Sequence, residues 1–174
     1  MFNMVSLKQI DKNNFLSSAF KNNLISAFLI IIVFFIDRIF KIKIINNQLN
    51  EGSVYINDFI NIDLVWNTGI GFGLFSSNSS LIYNTISALI GMILIIIIVM
   101  IIKSNLFEKI LYSVILGGAL GNFYDRIVYF AVPDFIDFHY ERFHWFTFNI
   151  ADIFITIGIF LLIIKELFFK NEKN

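Results

Sequence analysis

Between Gly117 and Asp152, a largely apolar segment carries polar side chains whose types could do chemistry together. The set consists of Asn122, Asp125, Arg126, Asp134, Asp137, Asn149 and Asp152. Two carboxylates that share a proton can act on water as general base and general acid, as in aspartic proteases. We expect Asp134, in a loop stiffened by Pro133, and Asp152, on a helix, to form such a pair. Asp137 competes for either role, and the pattern predicts an aspartyl hydrolase site.

The composition around this set is that of an integral membrane protein. Of the 174 residues, 57% are hydrophobic and 15% are charged, far from the average of soluble domains. Thirteen basic residues balance thirteen acidic ones, which argues against a nucleic-acid partner. The absence of cysteine excludes disulfides, thiolate metal ligands and a cysteine nucleophile. The fold must therefore be held together by packing.

Four hydrophobic segments predict transmembrane helices, since a bilayer crossing takes about 20 residues. Their approximate bounds are 22–41, 81–102, 110–128 and 146–164. The first and third segments reach full length only by including charged residues, among them Asp37 and Asp125. Each ionisable group inside a span costs on the order of 2.5 to 3.5 kcal/mol, so several at one depth indicate a functional site.

Residues 44–80 follow a different pattern, in which apolar and polar residues alternate before a run of glycines. This pattern predicts a small β element on the membrane surface. The glycines at 69, 71 and 73 lack the spacing and context of a dinucleotide fingerprint. We therefore predict an all-α integral membrane protein, a single membrane domain over residues 1–174, with four transmembrane helices and a small extracytoplasmic β element.

The distribution of lysines predicts the orientation of the chain. They are concentrated in the two tails and in the 103–109 turn. By the positive-inside rule, both termini should be cytoplasmic. The ends of the first and third helices, the start of the fourth and both long loops then meet at the outer face. The polar residues expected at this level are Asp37, Asn67, Asn122, Asp125, Arg126, Asp134, Asn149 and Asp152.

The third predicted helix presents Asn122, Asp125 and Arg126 on one face, because they are three and four residues apart. Asp125 lies near the helix C-terminus, where the helix dipole disfavours an anion. It therefore needs a cation, which Arg126 or Lys41 could supply. For Arg38 two interpretations stay open, a side chain that extends to the membrane surface or a member of the polar cluster.

Several alternatives accompany the hydrolase prediction. Asn149 and Asp152 could be no more than the N-terminal capping pair of the fourth helix. Intramembrane acids also mark proton relays, so a proton-coupled membrane carrier is the alternative function. Against a carrier, the polar groups lie at one face rather than at the midplane, and the two halves show no inverted repeat. His139, Glu141 and His144 lack the spacing of a metal motif and fit an interfacial aromatic belt better.

Five segments are similar, in order and spacing, to one known family. They are 37–41, Asn67-Thr68-Gly69-Ile70-Gly71-Phe72, Gly117-Gly118-Ala119-Leu120-Gly121-Asn122-Phe123-Tyr124-Asp125-Arg126, Val132-Pro133-Asp134-Phe135 and Phe148-Asn149-Ile150-Ala151-Asp152. The chain thereby resembles lipoprotein signal peptidase (signal peptidase II), a family of bacterial four-helix membrane aspartyl proteases. The G-N-x-x-D-R and F-N-x-A-D motifs at this separation are highly specific.

The resemblance implies a role for each matching residue. Asp134 and Asp152 match the family's catalytic aspartates. The residues that match its substrate groove are Asn67, Gly69, Asn122, Arg126 and Asn149. Those that match its supporting polar positions are Asp37, Lys41 and Asp125. The chain departs from the family pattern at Arg38, Phe40, Gly71 and Pro133, and none of these positions belongs to the catalytic pair.

The resemblance also implies the substrate and the location of the enzyme. The substrate is a prolipoprotein whose lipobox cysteine carries diacylglycerol, and cleavage falls just before that cysteine. The active site is implied at the outer face of the bacterial cytoplasmic (inner) membrane, in a multi-pass protein surrounded by membrane lipid. We expect no metal ion, no other cofactor, no nucleic acid and no obligate protein partner.

Overall fold

The computed structural model describes residues 2–69 and 80–169 of the chain, which are mostly helical. The helices are α1 (Phe2–Glu51), α2 (Ser80–Lys103), α3 (Leu106–Tyr129) and α4 (Ile150–Phe169). The strands are β1 (Val54–Asn57), β2 (Ile60–Asn67), β3 (Val132–Tyr140) and β4 (Phe143–Phe148). Ile70, Gly71 and Phe72, which belong to the second matching segment, lie outside the described residues.

The strands form one antiparallel sheet in the order β1-β2-β3-β4. Its central pairing joins two hairpins that are distant in sequence, with Val65 opposite Asp134 and Asn67 opposite Val132. This register brings the end of β2 beside the start of β3. Two of the candidate site residues, Asn67 and Asp134, therefore become neighbours through the sheet.

Helix α3 is the centre of the helical part, and α1, α2 and α4 all pack against it. Lys109 Nζ donates to Asn23 Oδ1 (2.7 Å) near one end of the α1–α3 seam. Near the other end, a Cβ built on Gly121 would lie 2.5 Å from Asp37 Oδ2. Residue numbers rise together along both helices, so α1 and α3 run parallel. The glycine allows the backbone of α3 to approach a carboxylate of α1.

Helix α4 runs antiparallel to α3. A Cβ on Gly118 would lie 2.7 Å from the carbonyl oxygen of Ala151, and one on Gly158 would lie 2.5 Å from Ile115 Cγ1. Small residues that allow such close approach are typical of helix packing inside membranes. The N-terminus of α4 is thereby held against the C-terminal half of α3.

The turn from α3 into β3 is short. Phe130 adopts a left-handed conformation (φ 56°, ψ 20°) as the C-cap of α3, an uncommon choice for a bulky residue. Strand β3 begins two residues later, at Val132. This turn delivers Asp134 to the level at which α3 ends.

The sheet is larger than the small element predicted between residues 44 and 80. Helix α1 continues to Glu51, so β1 and β2 occupy only the second part of that segment. Strands β3 and β4 were not predicted, and the expectation that Asp134 lies in a loop is wrong because it lies on β3. Helix α4 begins at Ile150 rather than near 146, since the preceding aromatic residues belong to β4.

Two helices within the described part of the chain are long and apolar enough to cross a bilayer by length and composition. They cover Leu81–Lys103 and Leu106–Tyr129. The first is the segment without internal charge, and the second is the helix that carries Asn122, Asp125 and Arg126. The arrangement of four spanning helices stays a prediction.

Candidate active site

Asn149 connects the two aspartates that were expected to form a pair. Its side-chain Nδ2 donates to Asp134 Oδ1 (2.6 Å), and its backbone N donates to Asp152 Oδ2 (3.1 Å). Asp134 is carried by the sheet and Asp152 by the first turn of α4. Asn149 is fully buried between β4 and α4, so both carboxylates are oriented by one immobile residue.

The same residue caps helix α4. Asn149 Oδ1 accepts from the backbone N of Asp152 (3.1 Å), and the carboxylate of Asp152 accepts from the backbone N of Asn149. These reciprocal bonds form a capping box, which satisfies amide groups that the helix leaves unpaired. Asp37 reaches across from α1 and accepts from the backbone N of Ala151 (3.0 Å). Asn149 and Asp152 therefore do form a capping pair, and capping also fixes the direction of the Asp152 side chain.

Asp134 has a second amide partner on the neighbouring strand. Asn67 Nδ2 donates to Asp134 Oδ2 (2.8 Å), while Asn67 Oδ1 accepts from the backbone N of Gly69 (2.8 Å). Arg126 Nη2 in turn donates to the carbonyl oxygen of Gly69. Asn67, Gly69 and Arg126, all expected in the substrate groove, thus form one connected chain that ends on Asp134.

Tyr83 on α2 belongs to this group, although the sequence did not single it out. Its hydroxyl donates to the carbonyl oxygen of Arg126 (2.6 Å), and its ring centroid lies 5.9 Å from the Arg126 guanidinium carbon. A buried tyrosine hydroxyl needs a hydrogen-bond partner, so a tyrosine within an otherwise apolar span was the available signal. Tyr83 thereby connects α2 to the C-terminal end of α3.

Lys41 is fully buried, and its ammonium makes two hydrogen bonds and one further ion pair. It donates to Asn122 Oδ1 (2.6 Å) and to Asp125 Oδ2 (2.8 Å), and it lies 2.9 Å from Asp37 Oδ2. Asn122 Nδ2 then donates to Asp152 Oδ1 (2.8 Å). The predicted supporting residues Asp37, Lys41 and Asp125 are therefore connected to Asp152 through Asn122.

Arg38, not Arg126, is the second cation beside Asp125. Its Nη1 lies 2.6 Å from Asp125 Oδ1, and its guanidinium carbon lies 5.0 Å from the ring centroid of Tyr124. Arg38 is 6% exposed, so it is a member of the polar cluster rather than a side chain extended to the membrane surface. Of the two cations that the sequence offered for Asp125, Lys41 is in contact with it, whereas Arg126 is turned toward Gly69.

The environment of Asp134 favours its protonated form. Burial, followed by the negative charge of Asp152, raises the pKa of Asp134 to about 7. The hydrogen bonds from Asn67 and Asn149 act in the opposite direction but are weaker. Asp134 is 2% exposed, whereas Asp152 is partly exposed. A buried carboxyl group of this kind can hold the proton that the pair shares.

A cavity of about 280 Å³ opens beside Asp152. It is lined by Phe146 and Phe148 of β4 and by Asp152, Ile153, Thr156 and Ile157 of α4. An apolar cavity of roughly 150 Å³ already accommodates benzene. This one therefore offers room for an aliphatic group next to a carboxylate.

Asp137 occupies a different position from the pair. Its Oδ2 lies 2.7 Å from His144 Nδ1, across the β3–β4 hairpin. His139, on the same strand, is buried, and its ring centroid lies 5.3 Å from that of His144. Asp137 is thus engaged by a histidine, while Asp134 and Asp152 are engaged by amides. The arrangement separates it from the two candidate catalytic carboxylates.

Taken together, the residues offer two carboxylates that are both hydrogen-bonded by Asn149, with Lys41 connected to one of them through Asn122. Such a pair can activate a water molecule and return a proton to a leaving group. The sequence analysis found all of these residues except Tyr83, and it left the role of Arg38 open. These side chains therefore have the chemistry of an aspartic hydrolase.

Comparison with known proteins agrees with this chemistry. The family model described as Signal peptidase (SPase) II matches residues 29–168. A lipoprotein signal peptidase of Pelagibacter ubique (strain HTCC1062) is 54% identical over 156 residues, covering 88% of this chain and 94% of that protein. Another, of Francisella tularensis subsp. novicida (strain U112), is 43% identical over 127 residues, which is 69% of this chain and 77% of that protein.

A solved structure agrees as well. It is a bacterial membrane enzyme determined by the in meso method at 2.3 Å resolution, with a TM-score of 0.70 and 33% identity, covering 86% of this chain and 93% of that chain. None of these relatives supports the alternative of a proton-coupled carrier. The family model spans most of the chain and the identity extends over nearly the whole of a relative, so the chain belongs to the signal peptidase II family.

Proposed function

We propose that this protein is a membrane aspartic endopeptidase that removes the signal peptide from prolipoproteins, with Asp134 and Asp152 as its catalytic pair. The observation that carries this proposal is the double engagement of Asn149, which donates to one carboxylate through its side chain and to the other through its backbone. Membership of the signal peptidase II family supports the substrate class.

Asp152 acts as the general base. It lies in the first turn of α4, where the helix dipole stabilises an anion, and it accepts from Asn122 Nδ2 and from the backbone N of Asn149. The residue is partly exposed and borders the cavity lined by Phe146 and Phe148, so a water molecule can reach it. Asp152 takes a proton from this water as the water oxygen attacks the carbonyl carbon of the scissile peptide bond.

Asp134 acts as the general acid. Its raised pKa, about 7, keeps it protonated in a substantial fraction of molecules at neutral pH. It gives this proton to the carbonyl oxygen as the tetrahedral intermediate forms. When the intermediate collapses, the C–N bond breaks, the nitrogen leaves with the proton held by Asp152, and the hydroxyl proton returns to Asp134. Both carboxylates then recover their starting states.

The substrate side of the proposal concerns the apolar part of the precursor. The cavity beside Asp152 is lined mainly by Phe146, Phe148, Ile153 and Ile157, which suits an aliphatic group near the scissile bond. We propose that the lipobox cysteine carries diacylglycerol and that the bond just before it is cut. The groove residues are Asn67, Gly69, Asn122, Arg126 and Asn149.

The directions of the helices support the proposed topology. Since α1 and α3 run parallel and α4 runs against them, four crossings by α1 to α4 are consistent with the packing. We propose a multi-pass protein of the bacterial inner membrane with both termini cytoplasmic. The pair, at the starts of β3 and α4, then faces the outer surface.

The experiment that tests the function is cleavage of a defined peptide by the purified protein in lipid. Two peptides with one lipobox sequence are compared, one with a diacylglyceryl group on its cysteine and one without. We expect cleavage before the cysteine in the lipidated peptide and little in the other. Failure to cut either peptide, by protein that melts cooperatively, would contradict the proposed function, and equal cleavage of both would contradict the requirement for lipid.

A further inference from the structure

The outer end of the α1–α3 seam holds two carboxylates and two cations, all nearly inaccessible to water. The carboxylates are those of Asp37 and Asp125, and the cations are those of Arg38 and Lys41. Each oxygen of Asp125 has its own cation, with Arg38 Nη1 at 2.6 Å from Oδ1 and Lys41 Nζ at 2.8 Å from Oδ2. The cluster is therefore electrically balanced, which a buried group of charges requires.

Lys41 is the member of this cluster that communicates with the catalytic pair. Its shortest contact is not with a carboxylate but with Asn122 Oδ1, at 2.6 Å. A primary amide has an acceptor end and a donor end, and an ammonium can face only the acceptor end. By holding Oδ1, Lys41 obliges Asn122 to present Nδ2 to Asp152 Oδ1.

Arg38 balances the negative charge of the cluster and so allows Lys41 to keep its contact with Asn122. Without the guanidinium, a single ammonium would face both Asp37 and Asp125, and the buried cluster would carry an uncompensated negative charge. The ammonium would then be drawn toward the carboxylates and away from the uncharged oxygen of Asn122. Stacking against Tyr124 and a separation of 3.7 Å from Asp37 Oδ2 fix Arg38 where it balances the cluster.

We propose that Arg38 is a positioning residue for the reaction, which neutralises Asp125 and so leaves Lys41 free to lock the Asn122 amide toward Asp152. The inference rests on the proposed function, because it assigns Arg38 an effect on the base of that mechanism. Arg38 makes no contact with the catalytic pair in the described part of the chain. It acts through Asp125, Lys41 and Asn122.

The charged groups around Asp152 come from three directions. Asp37 and Lys41 approach from α1, Arg126 from α3 and Asp134 from β3. Replacement of Arg38 keeps all four of these groups in the chain and removes only the positive charge behind Lys41, whose ammonium then shifts toward the carboxylates. A looser Asn122 amide weakens the hydrogen bond that supports the ionised base, and a hydrogen bond to a charged group is among the stronger ones in proteins.

The test compares Arg38→Gln with Arg38→Lys, which keeps the charge, and with Lys43→Gln, which removes an exposed charge from the same helix. For Arg38→Gln we expect kcat to fall about tenfold with little change in KM, and the acidic limb of the pH–rate profile to move up by about one pH unit. Lys43→Gln should match the parent. Arg38→Lys should lie closer to the parent than Arg38→Gln does.

The decisive comparison is between Arg38→Gln and a double variant. In Arg38→Gln/Asp125→Asn the cluster is balanced again by Asp37 and Lys41, and the asparagine oxygen can still accept from Lys41. We therefore expect the double variant to recover most of the kcat and the melting temperature lost in Arg38→Gln, a non-additive result for two residues in contact. A double variant as impaired as Arg38→Gln, or a folded Arg38→Gln with the parental pH profile, would overturn the proposal.

The melting temperatures separate this inference from the proposed function. They report charge balance in the cluster whether or not the protein cuts a lipobox peptide. If Arg38→Gln does not fold, its recovery in the double variant supports the inference and continued failure to fold overturns it. Absence of cleavage by the parental protein would count against the proposed function alone.

Discussion

Helices α2 and α3 are neighbours of equal length, 24 residues each, yet they use their surfaces in opposite ways. In their most hydrophobic stretches, 17% of α2 but 44% of α3 is buried inside the protein. The apolar side chains of α2, such as Ile95 and Ile96, are largely exposed, whereas α3 buries Asp125 and Arg126. The difference shows where a helix of this protein can carry charge. Of these two helices, only α3, which packs against α1, α2 and α4, has partners for buried charge.

The largest effect expected from this comparison concerns the two carboxylates held at the end of α3. Asp134→Asn and Asp152→Asn keep the side-chain shape but remove proton transfer, so each should lower kcat by at least about 10² to 10⁴-fold. Because the two residues act as one unit, the double variant should be little worse than either single one. Asp137→Asn is the matched control on β3, since Asp137 pairs with His144, and its effect should be mild.

Near-parental cleavage of a diacylated lipobox peptide by folded Asp134→Asn or Asp152→Asn protein would remove the assignment of the pair. The buried charges of α3 would then have no connection to catalysis. A strong effect of Asp137→Asn would instead move the general acid further along β3. Melting curves for all three variants decide which losses come from unfolding.

The second large effect expected is a dependence of kcat/KM on pH. The pKa of Asp134 is raised above its ordinary value, so the acid keeps its proton up to about pH 7 and loses it as the pH rises further. Since the mechanism uses the protonated form, kcat/KM should fall about tenfold per pH unit above that point. Measurement of kcat/KM from pH 5 to 9 checks this, and a flat profile up to pH 9 contradicts the assignment of Asp134 as the acid.

A smaller effect is expected when the cavity beside Asp152 is filled. Ile157→Trp places a large ring in this cavity, and KM for the lipidated peptide should rise roughly tenfold, within the usual range for apolar pockets. Ile163→Trp is the matched control, because Ile163 lines a cavity of about 300 Å³ near the other end of α4, beside the ion pair of Glu108 and Lys165. Equal KM values for the two variants would show that the first cavity does not bind substrate.

The smallest effect is expected from alanine substitutions, one at a glycine of α3 and one at a glycine of α2. A Cβ at Gly121 of α3 would lie 2.5 Å from Asp37 Oδ2, whereas one at Gly91 of α2 would lie an ordinary 3.5 Å from Phe123 Cζ. Gly121→Ala should therefore cost about 1 to 3 kcal/mol, with a lower melting temperature and a several-fold lower rate. Gly91→Ala should be neutral or slightly stabilising, since alanine is the better helix former. The opposite ranking in a melting assay would contradict the packing of the α1–α3 seam.

The sequence predicted α2 and α3 well because their apolar stretches and flanking lysines are clear signals. It missed β3 and β4 for a physical reason. The first part of β3 is buried on both sides, so residues from Val132 to Ile136 show no alternation of polar and apolar positions. Pro133 near its start further disfavoured a strand. The family resemblance is confirmed, and its polar motif residues lie close together.

Other features depend on contacts between distant residues and could not be read from local pattern. Whether Arg38 extends to the surface or turns inward is decided by Asp125, which arrives from another helix. In the same way, the partner of the Arg126 guanidinium is a backbone carbonyl at Gly69, for which no residue type gives a signal. The polar residues were predictable, but the direction of each bond was not.

Asp134 lies on the sheet and Asp152 lies on a helix, and this division has a mechanical consequence. Under the proposed topology, one half of the pair rests on the surface of the bilayer while the other is fixed to a segment within it. A change in hydrocarbon thickness tilts or shifts helices relative to that surface, at a modest cost in energy. Misplacement of reacting groups by about 1 Å can lower a rate a hundredfold. Turnover measured in lipids of graded chain length should therefore pass through a maximum. The rate of the enzyme would then report the thickness of the surrounding membrane.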